Sequence, residues 1–404
     1  MRAITLAGLT LVAVLTLAAC GDDGSNPDGS DEATSISDPT IPGSVRGFEM
    51  GFGHLLAERT ADGYEAPFRI AGEQGELILL QRGPAWADFL PGSSPAPALQ
   101  EMSRTDLLLA ERYELEFFLA VDPTDPTDRG RLFDAPPQLA GMDFRDPPVR
   151  EAYLAYISFL AESYRPRYMA LAVEVNLMHD LNPESYEAFR GVYEEAYTRV
   201  KQASPQTSVF VTFQYEDLKG LPPYGEEHGP RWELIDDFAS LDLLALTTYP
   251  GFSFSSPADI PPDYYDEALV HTDLRVAIAE MGFNSDQKAP AETTEEDQRL
   301  FLARTLFDVS RLGFAFAVWF VPADPNYTLP APFDSLASVG LIRADGSQKP
   351  AWGEWTEVAA RPYDPLLSSP SGEADETAQD SDGAATPPPG TSATTPTSTP
   401  PAAP

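Results

Sequence analysis

The chain has 404 residues, of which 43% are hydrophobic, and it can build one large or two medium globular domains with ordinary cores. Its charge is unbalanced, because 26 Lys and Arg stand against 63 Asp and Glu, giving a net charge of -37. So acidic a chain repels nucleic acid and anionic membrane surfaces, which excludes both as expected partners.

The N-terminus has the layout of an export signal. Arg2 precedes an apolar stretch from Ile4 to Ala19, which is too short and wrongly flanked for a stable spanning helix. The segment Leu17-Ala-Ala-Cys20 resembles the bacterial lipobox, which implies a signal peptide over residues 1–19 and a lipid on Cys20, the only cysteine of the chain. We expect a lipid anchor in the bacterial outer membrane or at the cell surface. An ordinary cleaved secretory signal is the alternative.

Low-complexity segments flank the central part of the sequence. Residues 20–44 are rich in Gly, Asp, Ser and Pro, which is typical of a flexible tether. Residues 363–404 are rich in Ser, Thr, Pro, Ala and acidic residues, and this composition predicts a disordered tail because no apolar face can form. The stretch 45–362 contains no comparable linker, so we expect a single domain there.

The central stretch alternates strand-like and helix-like patterns. Eight apolar runs are candidate strands: Arg46–Phe52, Glu76–Arg82, Glu114–Asp122, Tyr168–Asn176, Ser208–Gln214, Leu241–Tyr249, Val276–Gly282 and Phe314–Val321. Candidate helices include Pro148–Ser163, Pro183–Ala203 and one opened by a capping box at Thr293–Glu296, whereas only a short apolar turn follows the first strand. Eight such units predict an α/β fold, a (β/α)8 TIM barrel. A doubly wound open sheet is the alternative, although no Gly-rich phosphate loop follows any strand.

Two glutamates lie near the ends of apolar runs. Glu174 belongs to the fourth candidate strand and Glu280 to the seventh. An acid in such a place costs free energy unless it has a partner or a task. The C-terminal strand ends of an α/β barrel form its active face, and glycosidic bond cleavage needs two carboxyl groups. Each glutamate can also be explained as a salt-bridged structural acid.

The motifs around these glutamates resemble those of the retaining glycoside hydrolases of clan A, and in particular plant-type β-1,3-glucanases and related families. Tyr168-Met-Ala-Leu-Ala-Val-Glu174 resembles their strand-four motif, and Ala277-Ile-Ala-Glu280-Met-Gly282 resembles their Ser-Glu-x-Gly-Trp nucleophile motif. Residues 340–352 contain Gly-Leu, Asp-Gly and Lys-Pro-Ala in that order and resemble the segment after strand eight. The order and spacing of these motifs carry the resemblance.

The resemblance implies a two-step retaining mechanism, with Glu174 as general acid and base and Glu280 as nucleophile, about 5–5.5 Å apart. It also implies that the pKa of Glu174 is raised and that Tyr249 keeps Glu280 ionised by donating its hydroxyl hydrogen. Trp319 is then expected to form the floor of the −1 sugar-binding subsite. One position departs from the family pattern, since Val173 stands where an Asn usually precedes the strand-four acid. Either the substrate is contacted differently there, or catalysis is weakened or lost.

Further residues are candidates for substrate binding. Asn176 is expected to point inward together with Glu174, because side chains alternate along a strand. Arg82 resembles a strand-two arginine found near the nucleophile in this clan. Trp86 is a candidate sugar platform or a packing residue. Gln214 ends a candidate strand, either as a substrate ligand or as the cap of a loop.

No metal and no cofactor is expected, because no cluster of His, Cys and Asp has ligand spacing. Glu216 and Asp217 are interpreted as a solvated acidic loop. The segments 122–147 and 215–235 are expected to form the sides of the substrate-binding cleft. We therefore expect a monomeric, surface-anchored glycoside hydrolase that acts on a β-linked polysaccharide or oligosaccharide. The alternatives are a catalytically inactive glycan-binding barrel, which Val173 favours, and a surface protein with an interaction role only.

Overall fold

The computed structural model describes residues 39–223, 228–287, 291–331 and 333–368. The expected signal peptide, Cys20, most of the expected tether and most of the expected tail lie outside these ranges. Within them, no helix combines the length and the apolar character that crossing a bilayer requires.

A parallel sheet forms the centre of the described part of the chain. Its strands and those of a small hairpin are β1 (Glu49–Gly53), β2 (Leu77–Arg82), β3 (Glu116–Val121), β4 (Thr124–Asp125), β5 (Asp128–Leu132), β6 (Tyr168–Ala170), β7 (Ser208–Phe210), β8 (Thr212–Gln214), β9 (Leu244–Thr248), β10 (Val276–Met281) and β11 (Phe316–Trp319). Nine of these strands pair in the order β7-β6-β3-β2-β1-β11-β10-β9-β8, while β4 and β5 form the antiparallel hairpin.

The sheet returns to its starting point as a nearly closed barrel. Its two end strands, β7 and β8, are consecutive parts of one extended segment that is interrupted only at Val211. Backbone hydrogen bonds from Leu171 to Phe210 and from Thr212 to Ala172 continue the pairing across this interruption. The predicted α/β barrel is therefore confirmed, and the doubly wound alternative is wrong.

Helices connect most of the strands. They are α1 (Ala61–Gln74), α2 (Pro97–Arg112), α3 (Pro147–Tyr164), α4 (Val175–Leu181), α5 (Pro183–Ala203), α6 (Tyr215–Leu218), α7 (Asp266–Val270), α8 (Glu295–Arg311) and α9 (Pro350–Ala359). The sequence pattern missed α1, which contains Pro67. Its N-cap is Thr60, whose side chain accepts from the amide of Gly63. The capping box of α8 pairs Thr294 with Asp297, one residue later than predicted.

The fourth barrel strand ends earlier than its apolar pattern suggests. Strand β6 stops at Ala170, and Glu174 adopts the left-handed conformation, with φ 52° and ψ 52°, immediately before α4 begins at Val175. That conformation costs a residue with a Cβ on the order of 1 kcal/mol and is commonest at functional sites. Because Asn176 belongs to a helix, strand alternation does not relate it to Glu174.

Aromatic side chains fill the barrel interior near the N-terminal ends of the strands. Phe118, Phe210 and Phe316 pack around Tyr168, with ring centroids 4.5 to 6.5 Å apart. The Tyr168 hydroxyl donates to the buried Glu49 at 2.6 Å. This packed layer holds strands from different parts of the sequence together and supports the opposite end of the barrel.

Residues on both sides of the predicted range 45–362 contact the barrel domain. Ile41 is 5% exposed and belongs to the core, and Arg361 donates to its carbonyl oxygen at 2.8 Å. The backbone amide of Asp364 donates to the carbonyl of Arg46 at 2.9 Å. Ile41 and Asp364, which composition assigned to the tether and the tail, therefore have partners inside that range.

Candidate active site

Glu174 and Glu280 lie at the C-terminal end of the barrel, and Thr247 is a neighbour of both. The Thr247 hydroxyl donates to Oε1 of Glu174 at 2.9 Å, and Thr247 is the register partner of Glu280 on the neighbouring strand. Both glutamates are only 2% exposed. The structure therefore brings the two predicted carboxyl groups together in one buried place.

A β-bulge in β10 determines the direction of the Glu280 side chain. Ile278 pairs with Leu246, but Glu280 pairs with Thr247, so two residues of β10 face one residue of β9. In a regular strand Glu280 would lie on the same face as Ile278, because residues two apart share a face. The extra residue, Ala279, reverses this alternation and turns Glu280 toward the side of Thr247.

Glu280 is strongly desolvated. The Tyr249 hydroxyl donates to its Oε1, whereas its Oε2 is buried without a hydrogen-bond partner among the described residues. Burial raises the pKa of Glu280 to about 8, and the nearby charge of Glu174 adds to this effect. The contact with Tyr249 is the one expected, but a single hydrogen bond does not offset the lost hydration. Burial therefore outweighs the contact with Tyr249 in its effect on the pKa of Glu280, whereas the family resemblance implies that Tyr249 holds this acid ionised.

Glu174 is held by a buried ion pair. Arg129 is fully buried and donates to Oε2 of Glu174 at 2.7 Å and to Oδ1 of Asp122 at 2.6 Å. The backbone amide of Glu174 donates to the Thr212 hydroxyl at 2.9 Å. The guanidinium thus contacts two buried carboxyl groups at once, while its own Nε has no hydrogen-bond partner in the described part of the chain.

Sequence reasoning did not single out Arg129. The residue lies on the β4–β5 hairpin, inside the segment 122–147 that was expected to wall the cleft. The sequence offered only a weak indication of this role, namely an arginine that follows soon after Asp122, the last residue of a candidate strand. Its pairing with Glu174 spans 45 residues and exists only once the barrel has formed.

Trp319 lies on the wrong face of β11 for the role predicted from the family resemblance. Its indole Nε1 donates to the carbonyl of Val339 at 3.0 Å, and its ring packs against Phe301 of the outer helix α8. The next residue, Phe320, faces the other way and packs edge-on against Tyr249, with ring centroids 6.1 Å apart. Phe320 therefore stands beside the glutamates where Trp319 was expected.

Asn176 and Gln214 have structural partners inside the protein. Asn176 donates to the Gln214 carbonyl at 2.9 Å and to Asp217 at 2.6 Å, and its oxygen accepts from the Gln214 amide at 2.9 Å. The Gln214 side chain donates to Glu216 and caps α6 by accepting from the backbone amide of Asp217. These contacts use both amide groups to join α4, β8 and α6, so neither side chain is free to face a sugar as predicted.

Arg82 and Trp86 also contact other parts of the molecule. Arg82 donates to Asp106 of α2 at 2.8 Å and to the Tyr164 hydroxyl of α3 at 3.2 Å, and thus ties β2 to the helix layer. Trp86 is buried, with its Nε1 donating to the Phe133 carbonyl at 2.8 Å. Arg82 makes no hydrogen bond or ion pair to Glu174 or Glu280 within the described ranges, and Trp86 is too buried to serve as a stacking platform.

The prediction of a solvated acidic loop at Glu216 and Asp217 is wrong, because both residues are fully buried. Glu216 accepts hydrogen bonds from the hydroxyls of Thr248 and Tyr264 at 2.6 and 2.7 Å, and from the backbone amide of Tyr249 at 3.2 Å. Burial raises the pKa of Glu216, and these donors oppose the rise. The acid thereby fixes the backbone of the tyrosine that contacts Glu280.

One acidic group in the described ranges has the spacing of metal ligands. Asp180, Asp217 and His228 each place a ligand atom within 4.8 Å of the others. Arg231 pairs with both aspartates, and its distance to Asp217 is 2.6 Å. Since a guanidinium already balances these carboxylates, we assign them a structural role.

Known proteins resemble this chain in fold rather than in sequence. No family model matches it, and neither does any curated protein sequence. The exo-beta-1,4-mannosidase Op5Man5 from Opitutaceae bacterium strain TAV5 is 17% identical, with a TM-score of 0.60 over 80% of this chain and 62% of that one. The present chain thus spans less than two thirds of the mannosidase.

Two further solved structures have the same fold. GH5_18 from Bifidobacterium longum subsp. longum ATCC 55813 is 14% identical, with a TM-score of 0.58 over 79% of this chain and 81% of that one. Xylanase 10B from Thermotoga maritima is 11% identical, with a TM-score of 0.56 over 78% and 95%. These likenesses show that the chain has the same (β/α) barrel fold as these three proteins, whereas the resemblance to plant-type β-1,3-glucanases stays a prediction.

Proposed function

We propose that this protein is a glycoside hydrolase that cleaves β-linked glycans with retention of configuration. The observation that carries the proposal is the pair of buried carboxyl groups of Glu174 and Glu280 at the C-terminal end of the barrel, where Thr247 donates to Glu174 and is the register partner of Glu280. This end is where barrel enzymes place their chemistry. The mannosidase and xylanase named above support the same class of reaction.

The proposed reaction proceeds in two displacements. In the first, a carboxylate oxygen of Glu280 attacks the anomeric carbon, the glycosidic C–O bond breaks, and Glu174 gives its proton to the leaving oxygen. In the second, Glu174 takes a proton from water, the resulting hydroxide oxygen bonds to the anomeric carbon, and Glu280 leaves. Tyr249 and Arg129 position the two acids by the contacts described above.

The raised pKa of Glu280 sets a condition for the first step. Burial raises this pKa to about 8, so we infer that the proton of the pair lies on Glu280 before substrate binds, with Glu174 against the Arg129 guanidinium. We infer that substrate binding moves the proton from Glu280 to Glu174. A change in the contact between Arg129 and Glu174 would assist this transfer, because a nearby cation opposes protonation of a carboxylate.

A non-catalytic glycan-binding barrel is the second candidate. Three observations favour it: both acids are only 2% exposed, Glu174 is engaged by Arg129, and Val173 replaces the usual Asn. Such a protein would bind glycans through the same end of the barrel without cleaving them.

A glycan panel separates the two candidates. The purified protein and its Glu280→Gln variant are incubated with β-glucans, mannans, galactans and xylans, and reducing ends are measured. We expect release from at least one glycan, and a loss of at least about a thousandfold in the variant. Glu111→Gln on the exposed face of α2 is the matched control and should retain full activity. Binding that survives Glu280→Gln, without any hydrolysis, would favour the non-catalytic barrel.

The roles of the two acids are tested by azide rescue on a cleaved substrate. In Glu174→Ala, azide attacks the glycosyl-enzyme, so two displacements give a product of retained configuration. In Glu280→Ala, azide attacks the substrate directly, so one displacement inverts the configuration. The configuration of each glycosyl azide, read by NMR, assigns nucleophile and acid, and the opposite pair of products would exchange the two roles.

We also propose that the protein is a monomer anchored to the bacterial surface through a lipid on Cys20. The lipobox-like segment Leu17–Cys20 supports the anchor. A glycan outside the cell is then the accessible substrate.

A further inference from the structure

The barrel has a polar cavity of about 450 Å³ at the end opposite to the two glutamates. Residues at the N-terminal ends of the strands line it: Glu116 and Tyr168 begin β3 and β6, and Arg275 directly precedes β10. This end of a (β/α) barrel ordinarily serves stability rather than chemistry. Its volume is within the range of ligand pockets, and its lining is polar rather than apolar.

Three arginines line this cavity in a chain whose net charge is -37. Arg165 and Arg275 are exposed, and neither has an ion-pair partner among the residues that the structure describes. Arg167 pairs with Glu49 at 3.0 Å but keeps 40% of its side chain exposed. Grouping like charges opposes folding, and two of these three guanidinium groups lack an ion-pair partner among the described residues although carboxylates are abundant in this sequence.

The acidic groups around the cavity do not neutralise it. Asp242 is already paired with Lys201 at 2.5 Å, and Glu49 is paired with Arg167 and accepts from Tyr168. The exposed Glu116 therefore remains as one carboxylate against the guanidinium groups of Arg165 and Arg275. The cavity keeps a net positive charge within a strongly acidic protein.

The backbone at Arg165 gives a separate indication. Arg165 ends α3 with φ 46° and ψ 54°, a left-handed conformation in which glycine is the preferred residue. A side chain is therefore present at a position where it causes strain, next to Arg167 in the same loop. A functional role explains the strain, because the guanidinium of Arg165 could then bind a ligand in the cavity.

We propose that this cavity binds a small anionic ligand of roughly monosaccharide size, through its phosphate or carboxylate group. Guanidinium groups bind such groups through paired, charge-assisted hydrogen bonds. The site is independent of the glycosidase proposal, because it lies at the other end of the barrel and shares no residue with the catalytic pair.

Calorimetric titration of the purified protein at low salt tests the proposal, with glucose 6-phosphate, glucuronate, inorganic phosphate and neutral glucose as ligands. We expect binding of at least one anion, no binding of glucose, and an affinity that falls as NaCl is added. Inorganic phosphate binding as tightly as glucose 6-phosphate would show that the oxyanion alone is recognised. No heat from any of the three anions at 10 mM would overturn the proposal.

Variants locate the binding in the cavity. Arg165→Gln and Arg275→Gln should each weaken anion binding at least about tenfold, because each removes one charged donor. Arg150→Gln is the matched control, since Arg150 is exposed on α3, outside the cavity. Glu280→Gln should leave anion binding unchanged, whatever its effect on glycans. Equal weakening by Arg150→Gln, or no weakening by the two cavity variants, would assign the binding to general surface charge.

Discussion

The pKa of Glu280 controls the proposed chemistry at the scale of a single residue. In the proposed mechanism its carboxyl group carries the proton that Glu174 must receive before it can protonate the leaving oxygen, and burial raises its pKa to about 8. We therefore expect kcat/KM on a cleaved glycan to fall as the pH rises through 8, since kcat/KM reports ionisations of the free enzyme and the proton needed for the first step is then lost. A profile of initial rates from pH 5 to 10 checks this, and a kcat/KM that rises through pH 8 would contradict it.

Glu280 also makes a prediction about stability. Its pKa is about 8 in the folded chain against 4.5 for an unperturbed glutamate, so unfolding between these pH values releases a proton. The wild-type protein should lose stability as the pH rises from 4.5 through 8, whereas Glu280→Gln has no carboxyl group to titrate there. Relative to wild type, the variant should gain roughly 4 kcal/mol in unfolding free energy across that window.

Urea unfolding at pH 5, 6.5 and 8.5 measures this difference, with the exposed Glu111→Gln as control. The control should run parallel to wild type at all three values. Parallel behaviour of Glu280→Gln would show that the folded protein ionises Glu280 normally.

Arg129 is predicted to contribute more to stability than its neighbour Arg131 on the same hairpin. Arg129→Met leaves Asp122 and Glu174 buried without their cation, and we expect a loss of about 3–5 kcal/mol in unfolding free energy. Arg131 is 65% exposed and pairs with Asp128 at the surface, so Arg131→Met should cost less than about 1 kcal/mol. Chemical denaturation measures the unfolding free energy of both variants. Similar losses of unfolding free energy would mean that the buried ion pairs of Arg129 contribute no more to stability than the surface pair of Arg131.

At the scale of the element, the faces of β10 and β11 decide which side chains lie beside Glu174 and Tyr249. The bulge at Ala279 turns Glu280 toward Thr247, and regular alternation turns Trp319 away from Tyr249. A shift of one residue exchanges the two faces of a strand, so such details change the composition of a site completely.

The two aromatic residues at the end of β11 should therefore respond differently to mutation. Phe320→Ala should lower kcat/KM about tenfold, because it removes an aromatic surface beside Tyr249. Trp319→Phe should leave kcat/KM near wild type but cost about 1–3 kcal/mol in unfolding free energy, because the hydrogen bond to Val339 and packing against Phe301 are lost. Kinetics and denaturation on both variants check this, and a Trp319→Phe variant that is stable but inactive would reverse the assignment.

At the scale of the whole molecule, the proposed location depends on a single side chain. Cys20 is the only thiol of the chain, and lipid attached to it would anchor an acidic protein that electrostatics keeps away from anionic surfaces. We expect the wild-type protein in the detergent-extracted membrane fraction of a bacterial host, and Cys20→Ser in the soluble extracytoplasmic fraction or retained with an uncleaved signal. Fractionation and mass measurement of the N-terminus check this. A wild-type protein found entirely soluble would contradict it.

The sequence alone determined the architecture and the two central residues. The eight barrel strands coincide with eight apolar runs, and Glu174 and Glu280 stand near the ends of theirs. These features are local, because strand formation and the cost of an acid in an apolar run depend on neighbouring residues.

The tertiary structure decided which side chains meet at the site and in which charge state. The bulge at Ala279, the inward turn of Phe320, and the pairing of Arg129 with Glu174 each depend on strand register or on contacts between distant residues. So do the burial of Glu216 and the raised pKa of Glu280, because desolvation is set by everything that surrounds a group in the folded chain rather than by its neighbours in sequence.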